Sequence, residues 1–210
     1  MRFLSPVEAR VLGVLVEKQA TVPDTYPLSL NALVAGCNQK TARDPVMNAS
    51  DADVLTAIDG LKSLSLVFEG SGSRVVKFEH NTARVIGVPS QSVALLATLM
   101  LRGPQTAAEL RLNCERLHRF ADISSVEGFL DELAAKEPPR VARLARAPGA
   151  REPRWVHLLC GDAPPAPLAA EEPAATPPSW EQLEARVAVL EAQVTALLQR
   201  ADDRASGRTE

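Results

Sequence analysis

Five arginines lie within fifteen residues of this sequence, between positions 140 and 154, and Glu152 is the one nearby carboxylate inside that window. Guanidinium groups bind phosphate oxygens through paired hydrogen bonds, so this segment favours recognition of a nucleic-acid backbone. A charged hairpin at a sheet edge, protected from aggregation, is the alternative interpretation, although five arginines exceed that need. The arginines are Arg140, Arg143, Arg146, Arg151 and Arg154.

A second polar group occupies residues 38–43. Amide, hydroxyl and basic side chains of this kind contact phosphates and base edges in protein–DNA complexes. The amides would equally serve to hold a long loop together, and the sequence leaves both interpretations open. The group consists of Asn38, Gln39, Lys40, Thr41 and Arg43.

The sequence contains no motif typical of catalysis or of a metal site. It has no Cys-x-x-Cys pair, no His-Glu-x-x-His helix and no glycine-rich phosphate loop after a strand. Of the three histidines, His80 and His157 are expected near equivalent strand ends, where a structural role is favoured. We therefore expect a protein that is not an enzyme, with no catalytic residue, no metal and no cofactor.

The three cysteines are odd in number and far apart, which suits a reducing compartment. Cys37 and Cys114 each sit in an apolar helical pattern. Such cysteines usually behave as small buried hydrophobic residues, so we expect both to be in the core.

The elements that position these groups follow one another in a fixed order. Ser5, Ser29 and Ser50 each precede an apolar pattern with helical spacing and are predicted to cap three helices. Residues 65–69 and 74–80 are rich in β-forming side chains and are joined by glycines and serines. This arrangement predicts a hairpin.

The same order returns in the second half. Ser90, Thr106 and Ser124 are predicted to open three further helices, and residues 141–144 and 155–160 are predicted to form a second strand pair. Three pairs of similar residues share a separation of 77 positions. These pairs are Ser29 and Thr106, Cys37 and Cys114, and His80 and His157. Equal spacing with length changes in loops indicates an internal repeat.

Three helices followed by a hairpin are typical of the winged-helix fold. The sequence therefore predicts an α+β, mainly α protein with two winged-helix domains in tandem, residues 1–84 and 85–160. The third helix usually enters the major groove, but here both third helices carry carboxylates, which oppose phosphate and offer a surface to a basic protein partner. Acidic residues in a first turn also interact favourably with the helix dipole, so a purely structural explanation stays open. These acids are Asp51, Asp53 and Asp59 in the first copy, and Glu127, Asp131 and Glu132 in the second.

Several segments resemble the YceH-like family of uncharacterised bacterial proteins. In the first half they are residues 6–13, 17–19, 26–33 and 37–47, of which 38–46 is the most specific. In the second half they are residues 101–106, 109–111, 120–122 and the hairpin at 143–158. The resemblance implies a tandem winged-helix fold and implies little about function.

The chain after residue 160 differs in composition from the body. Residues 161–179 contain six prolines and six alanines and are predicted to be an extended linker. Residues 180–200 show a heptad pattern typical of a parallel two-stranded coiled coil, and 201–210 is expected to be a disordered tail. A homodimer is favoured, and a helix that folds back onto the body is the alternative. The heptad residues are Trp180, Leu183, Val187, Leu190, Val194 and Leu197.

The net charge of −3 averages two unlike regions. Residues 1–160 carry 19 basic and 17 acidic side chains, whereas residues 161–210 carry 4 and 9. No stretch is apolar enough for a membrane span and no signal peptide is evident, so we expect a cytoplasmic location.

The leading hypothesis is a dimeric DNA-binding regulator of transcription. The alternative is a protein–protein scaffold resembling the tandem winged-helix subunits of chromosome-condensation complexes.

Overall fold

Three helices followed by an antiparallel strand pair occur twice along the chain in a computed structural model, which describes residues 2–70, 75–146, 149, 151–161 and 194. The first half contains α1 (Pro6–Thr21), a 3-10 turn (Pro23–Thr25), β1 (Leu28–Ser29), α2 (Leu30–Cys37), α3 (Asp51–Ser63), β2 (Val67–Gly70) and β3 (Lys77–His80). The second contains α4 (Thr82–Ile86), α5 (Ser90–Arg102), α6 (Ala107–Asn113), α7 (Ile123–Ala134), β4 (Val141–Arg143) and β5 (Trp155–His157). Roughly half of the described residues are helical, so an α+β, mainly helical composition is confirmed.

Four of the six predicted helix starts are confirmed by their capping hydrogen bonds. Ser5, Ser50 and Thr106 each form a reciprocal capping box with the acidic residue three positions later. The Ser29 hydroxyl accepts a hydrogen bond from the backbone N–H of Ala32. Local sequence therefore determines these boundaries, because the cap and its partner lie within one turn.

The predicted starts at Ser90 and Ser124 are wrong. The extended residue before α5 is Pro89, and Ser90 is already helical, with its hydroxyl turned to the Gln91 side chain. At α7 the carboxylate of Asp122 accepts from the backbone N–H of Ser125 at 2.7 Å, which starts the helix earlier. Both residue types are good N-caps, and here Asp122 satisfies the free N–H of Ser125 in the first turn, so Ser124 is already helical.

The strands form two small antiparallel sheets. The first has the order β1-β3-β2, with Val67 opposite His80 and Leu28 opposite Phe78. The second pairs β4 with β5 and places Arg143 opposite Trp155. The sequence does not predict strand β1 or helix α4. With two and five residues, these elements are too short to show a periodic pattern of apolar side chains. The predicted boundary after residue 84 falls within α4.

Helix α1 of the first half and helix α5 of the second half pack against each other and share one hydrophobic core. Their approach is close because Gly13 faces α5: a Cβ atom at this position would lie 3.0 Å from Leu101 Cγ. By its contacts the chain divides into two units, Met1–Pro167 and Leu168–Glu210.

Cys37 and Cys114 are both fully buried, as predicted. Burial raises the pKa of each thiol to about 11, which keeps both protonated at neutral pH.

Most of the predicted linker, heptad helix and tail, residues 161–210, lies outside the described residues. Among the heptad positions only Val194 is described, and it is helical and exposed. The coiled coil therefore stays a prediction.

Two glycines in helices give opposite predictions for alanine substitution. A Cβ at Gly36 in α2 would lie 2.6 Å from Val14 Cγ1, whereas a Cβ at Gly128 in α7 meets nothing within 4 Å. We expect Gly36→Ala to lower the free energy of unfolding by about 1–3 kcal/mol through overpacking. Gly128→Ala should raise it by about 0.5–1 kcal/mol through helix propensity. Urea denaturation followed by circular dichroism measures both, and stabilisation by Gly36→Ala would show that the α1–α2 contact is loose.

Candidate nucleic-acid interface

Three of the five clustered arginines are exposed and unpaired. Arg143, Arg146 and Arg151 form no side-chain hydrogen bond and no ion pair with any described residue. The guanidinium carbon of Arg143 lies 5.8 Å from the ring centroid of Trp155 on the neighbouring strand, a cation–π geometry. The hairpin therefore leaves these three arginines accessible to solvent.

The other two arginines of the cluster differ from these three in their surroundings. Arg154 donates to the carbonyl of Pro104 at 2.7 Å and forms an ion pair of 3.0 Å with Glu109, which joins the hairpin to the start of α6. Arg140 is half-buried where the chain enters β4, and its Nε has no hydrogen-bond partner within the described part of the chain.

Asn38 holds the loop between α2 and α3 closed. Its side chain donates to the carbonyl of Ala49 at 2.8 Å and accepts from the backbone N–H of Ala49 at 2.7 Å. Gln39 accepts from Arg43 and Lys18 through its side-chain oxygen. For both amides the geometry matches the loop-stabilising interpretation.

Lys40 and Thr41 are the exposed members of the 38–43 group. They follow Gln39 directly and lie before the left-handed turn at Ala42, whose φ is 58°. These two side chains are the most exposed to solvent in this group, whereas Asn38 and Gln39 are partly buried.

Arg43 lies inside the protein, with no exposed side-chain surface. Its guanidinium forms an ion pair of 2.6 Å with Glu17 and donates to the carbonyl oxygens of Gly36 and Ala42. Because the donors of this buried guanidinium already have partners inside the protein, Arg43 is not available to bind an external ligand. Its role in the structure is to hold the loop. The sequence analysis missed Glu17, since nothing local links it to a residue 26 positions away.

Arg10 is a second buried arginine that the sequence analysis did not single out. It is 1% exposed and donates to the carbonyl oxygens of Cys37 at 3.1 Å and Pro45 at 2.7 Å. Together with Arg43 it fastens the α2–α3 loop onto α1. A lone arginine within the otherwise apolar run of α1 is the signal that points to it.

The predicted acidic surfaces of the third helices are present on α3 and α7. All six carboxylates are exposed, and Asp53 is engaged in the capping box of α3. The others form no ion pair within the described ranges. They are Asp51, Asp59, Glu127, Asp131 and Glu132.

His80 and His157 occupy equivalent positions at the ends of β3 and β5, opposite the first residues of β2 and β4. Burial lowers the pKa of each imidazole to about 4, so both are neutral at physiological pH. Among the described residues, no group of three or more His, Cys, Asp or Glu side chains is arranged to hold a metal ion.

No helix in the described part of the chain combines the length and the apolar character that crossing a membrane requires.

The Glu17–Arg43 pair predicts a pH-dependent stability. Burial alone would raise the pKa of Glu17, but hydrogen bonds and charge attraction from Arg43 and Lys18 outweigh it and lower the pKa. The carboxylate thus stabilises the fold at neutral pH, and this contribution is lost as pH falls through the lowered folded-state pKa. We expect Glu17→Gln to cost roughly 3 kcal/mol at pH 7, because Arg43 stays buried without its counter-charge, and less at pH 3.

Urea denaturation of the wild type and the variant at the two pH values measures this difference. Glu127→Gln is the matched control, since Glu127 is exposed and unpaired in the described structure and its change should matter little. An equal cost of Glu17→Gln at pH 7 and pH 3 would show that the carboxylate charge is not the stabilising feature.

Comparison with known proteins identifies a family without an assigned activity. Residues 4–150 match the family described as "Protein of unknown function, DUF480". A UPF0502 protein of Leptothrix cholodnii is 67% identical over 209 residues, covering 93% of this chain and 94% of the relative. A UPF0502 protein of Burkholderia pseudomallei is 68% identical over 200 residues, covering 94% and 86%. One of Cupriavidus taiwanensis is 76% identical over 174 residues, covering 83% and 71%.

The sequence analysis predicted an uncharacterised bacterial family, and this part is confirmed, while the YceH-like name stays a prediction. The match covers α1 to β4 and more than half of the chain, and the chain therefore belongs to the DUF480 family.

Proposed function

We propose that the protein binds DNA through the β4–β5 hairpin and acts, without enzymatic activity, as a cytoplasmic regulator of transcription. The observation that carries this proposal is the exposure of three guanidinium groups on one hairpin, those of Arg143, Arg146 and Arg151, which have no ion-pair partner among the described residues. Lysine and arginine contacts to phosphates supply most of the affinity of proteins for DNA.

The order of elements supports a tandem winged-helix architecture, with residues 1–84 and 85–160 as its two domains. Helices α6 and α7 would then form a helix-turn-helix, and the β4–β5 hairpin would be the wing that touches the DNA backbone. The carboxylates of α7 oppose insertion of this helix into the major groove. The proposal is therefore that phosphate contacts dominate and that base readout contributes little.

Exposed Lys40 is a further candidate contact in the first half. It lies in the loop that Asn38 and Arg43 hold in place, and it has no ion-pair partner within the described residues. In this proposal the buried arginines position the loop and Lys40 reaches the DNA.

The combined variant Arg143→Ala, Arg146→Ala and Arg151→Ala tests the hairpin. The slope of log affinity against log salt concentration is negative, and each lost phosphate contact reduces its magnitude by about 0.9. We therefore expect the triple variant to bind more weakly, with a slope smaller in magnitude by up to about 2.7. Fluorescence anisotropy with a mixed-sequence duplex over a range of sodium chloride concentrations gives both quantities.

Arg84→Ala is the matched control, because Arg84 is an exposed arginine on α4 outside the hairpin. It should leave the affinity and the salt slope unchanged. Wild-type protein that shows no salt-dependent binding, or a triple variant that binds like the wild type, would contradict the proposal.

A second candidate function is a protein–protein scaffold, favoured by the exposed carboxylates of α3 and α7. These helices would meet a basic surface of a protein partner. Affinity capture with mass spectrometry separates the two functions. One stoichiometric partner that is lost when Asp51 and Asp59 become asparagine, with no DNA bound, favours the scaffold.

We further propose a homodimer through residues 180–200. The heptad spacing supports it, and so does the exposure of the described helical residue Val194 at an a position. The double change Leu190→Asp and Leu197→Asp places charges at two d positions of the full chain, and we expect it to convert a dimer into a monomer.

Size-exclusion chromatography with light scattering measures the mass of each variant. Ala192→Asp introduces the same charge at an f position, which faces away from a coiled-coil partner, and should leave the dimer intact. A wild-type monomer would contradict the homodimer.

A further inference from the structure

A polar cleft lies where the first and second halves of the body meet. It has a volume of about 200 Å³ and is bounded by α1, the α2–α3 loop, the end of α5 and the residues that follow α6. We call it the junction cleft. The polar side chains that matter for its chemistry are Lys18, Gln39, Thr41, Arg102, Asn113 and Arg116.

The lining of the junction cleft is positively charged. Lys18, Arg102 and Arg116 contribute three cations, and Glu17 is the one carboxylate among its lining residues. Glu17 is already neutralised by Arg43 at 2.6 Å and approached by Lys18 at 3.3 Å. The cleft therefore has a surplus of positive charge that the described side chains do not balance.

Arg102 is the central cation of the cleft. It is half-buried at the last residue of α5 and forms no hydrogen bond or ion pair with a described residue. It also lines an adjoining cleft of about 350 Å³, together with Asp44, yet no ion pair joins these two side chains. A partly desolvated guanidinium with free N–H donors gains free energy when an anion supplies the acceptors.

Two uncharged side chains of the cleft, Gln39 and Thr41, add hydrogen-bond donors. The side-chain oxygen of Gln39 already accepts from Lys18 and Arg43, so its amide NH₂ is the group that stays available. Thr41 contributes an exposed hydroxyl. Asn113 donates its amide to Gln105 at 2.6 Å and is held at the rim by this bond.

We propose that the junction cleft binds a small ligand that carries phosphoryl groups. Two guanidinium groups, an ammonium, a hydroxyl and an amide suit a group with several charged oxygens, for which arginine geometry is well matched. The volume is below that of pockets for drug-sized ligands, which favours a compact phosphorylated molecule. Since α1 and the α2–α3 loop supply one wall and α5 and α6 the other, the ligand would bridge the two halves. This inference is independent of DNA binding by the hairpin.

Isothermal titration calorimetry of the full chain with pyrophosphate, at constant ionic strength set by sodium chloride, tests the proposal. We expect saturable binding of one pyrophosphate per chain. Arg102→Gln should weaken it at least about tenfold, the loss that removal of one charge-assisted interaction implies. Arg116→Gln should also weaken it, and because Arg116 is exposed this variant keeps the test valid if Arg102→Gln fails to fold.

Arg84→Gln, an exposed arginine outside the cleft, is the control and should bind pyrophosphate like the wild type. No binding at millimolar pyrophosphate, or equal affinity in the wild type and both cleft variants, would overturn the proposal.

A competition arm separates a free phosphorylated ligand from the phosphates of DNA. If pyrophosphate binds and duplex DNA does not displace it, the ligand is a small molecule, as proposed. If DNA displaces pyrophosphate and Arg102→Gln also loses DNA affinity, the cleft serves the DNA backbone and the assignment of a small ligand is overturned.

Discussion

The buried ion pair between Arg43 and Glu17 is the interaction on which the arrangement of the first half depends. It fastens the α2–α3 loop to α1, with Arg10 as a second attachment through the carbonyl oxygens of Cys37 and Pro45. It also neutralises the single carboxylate of the junction cleft. A pair of this kind repays its desolvation only when its remaining donors are satisfied, and here backbone carbonyl oxygens accept from Arg43. One interaction thereby sets both the loop conformation and the sign of the potential in the cleft.

In the described part of the protein, exposed positive and negative side chains are concentrated on different elements. The third helices present carboxylates, the β4–β5 hairpin presents guanidinium groups, and the junction between the halves presents a third, smaller positive surface. Near-neutral overall charge therefore conceals surfaces of opposite sign. A polyanion would meet the hairpin and avoid α3 and α7, which is why the proposed mode of DNA binding relies on the wing. Local surface charge rather than the net value decides which partner is attracted.

Sequence reasoning worked where the determinants are local. Ser5, Ser50 and Thr106 cap helices with partners three residues away, and Cys37 and Cys114 are buried where their apolar patterns placed them. It failed where contacts between residues far apart in the sequence determine the environment of a side chain. Arg43 belongs to a basic segment by sequence, yet the pairing with Glu17 takes it inside. The hairpin gives a second example. Arg154 forms an ion pair because α6 places Glu109 beside it, and the sequence of the hairpin alone does not show this contact.

The close contact at Gly13 has a consequence for how the two halves can diverge. Copies of a repeated unit that touch lightly are free to accumulate changes independently. Here α1 of the first half and α5 of the second half meet at Gly13, where a Cβ atom would lie 3.0 Å from Leu101 Cγ. Leu101 would have to move by a few tenths of an ångström to admit even an alanine, so substitutions at positions 13 and 101 are expected to covary among relatives.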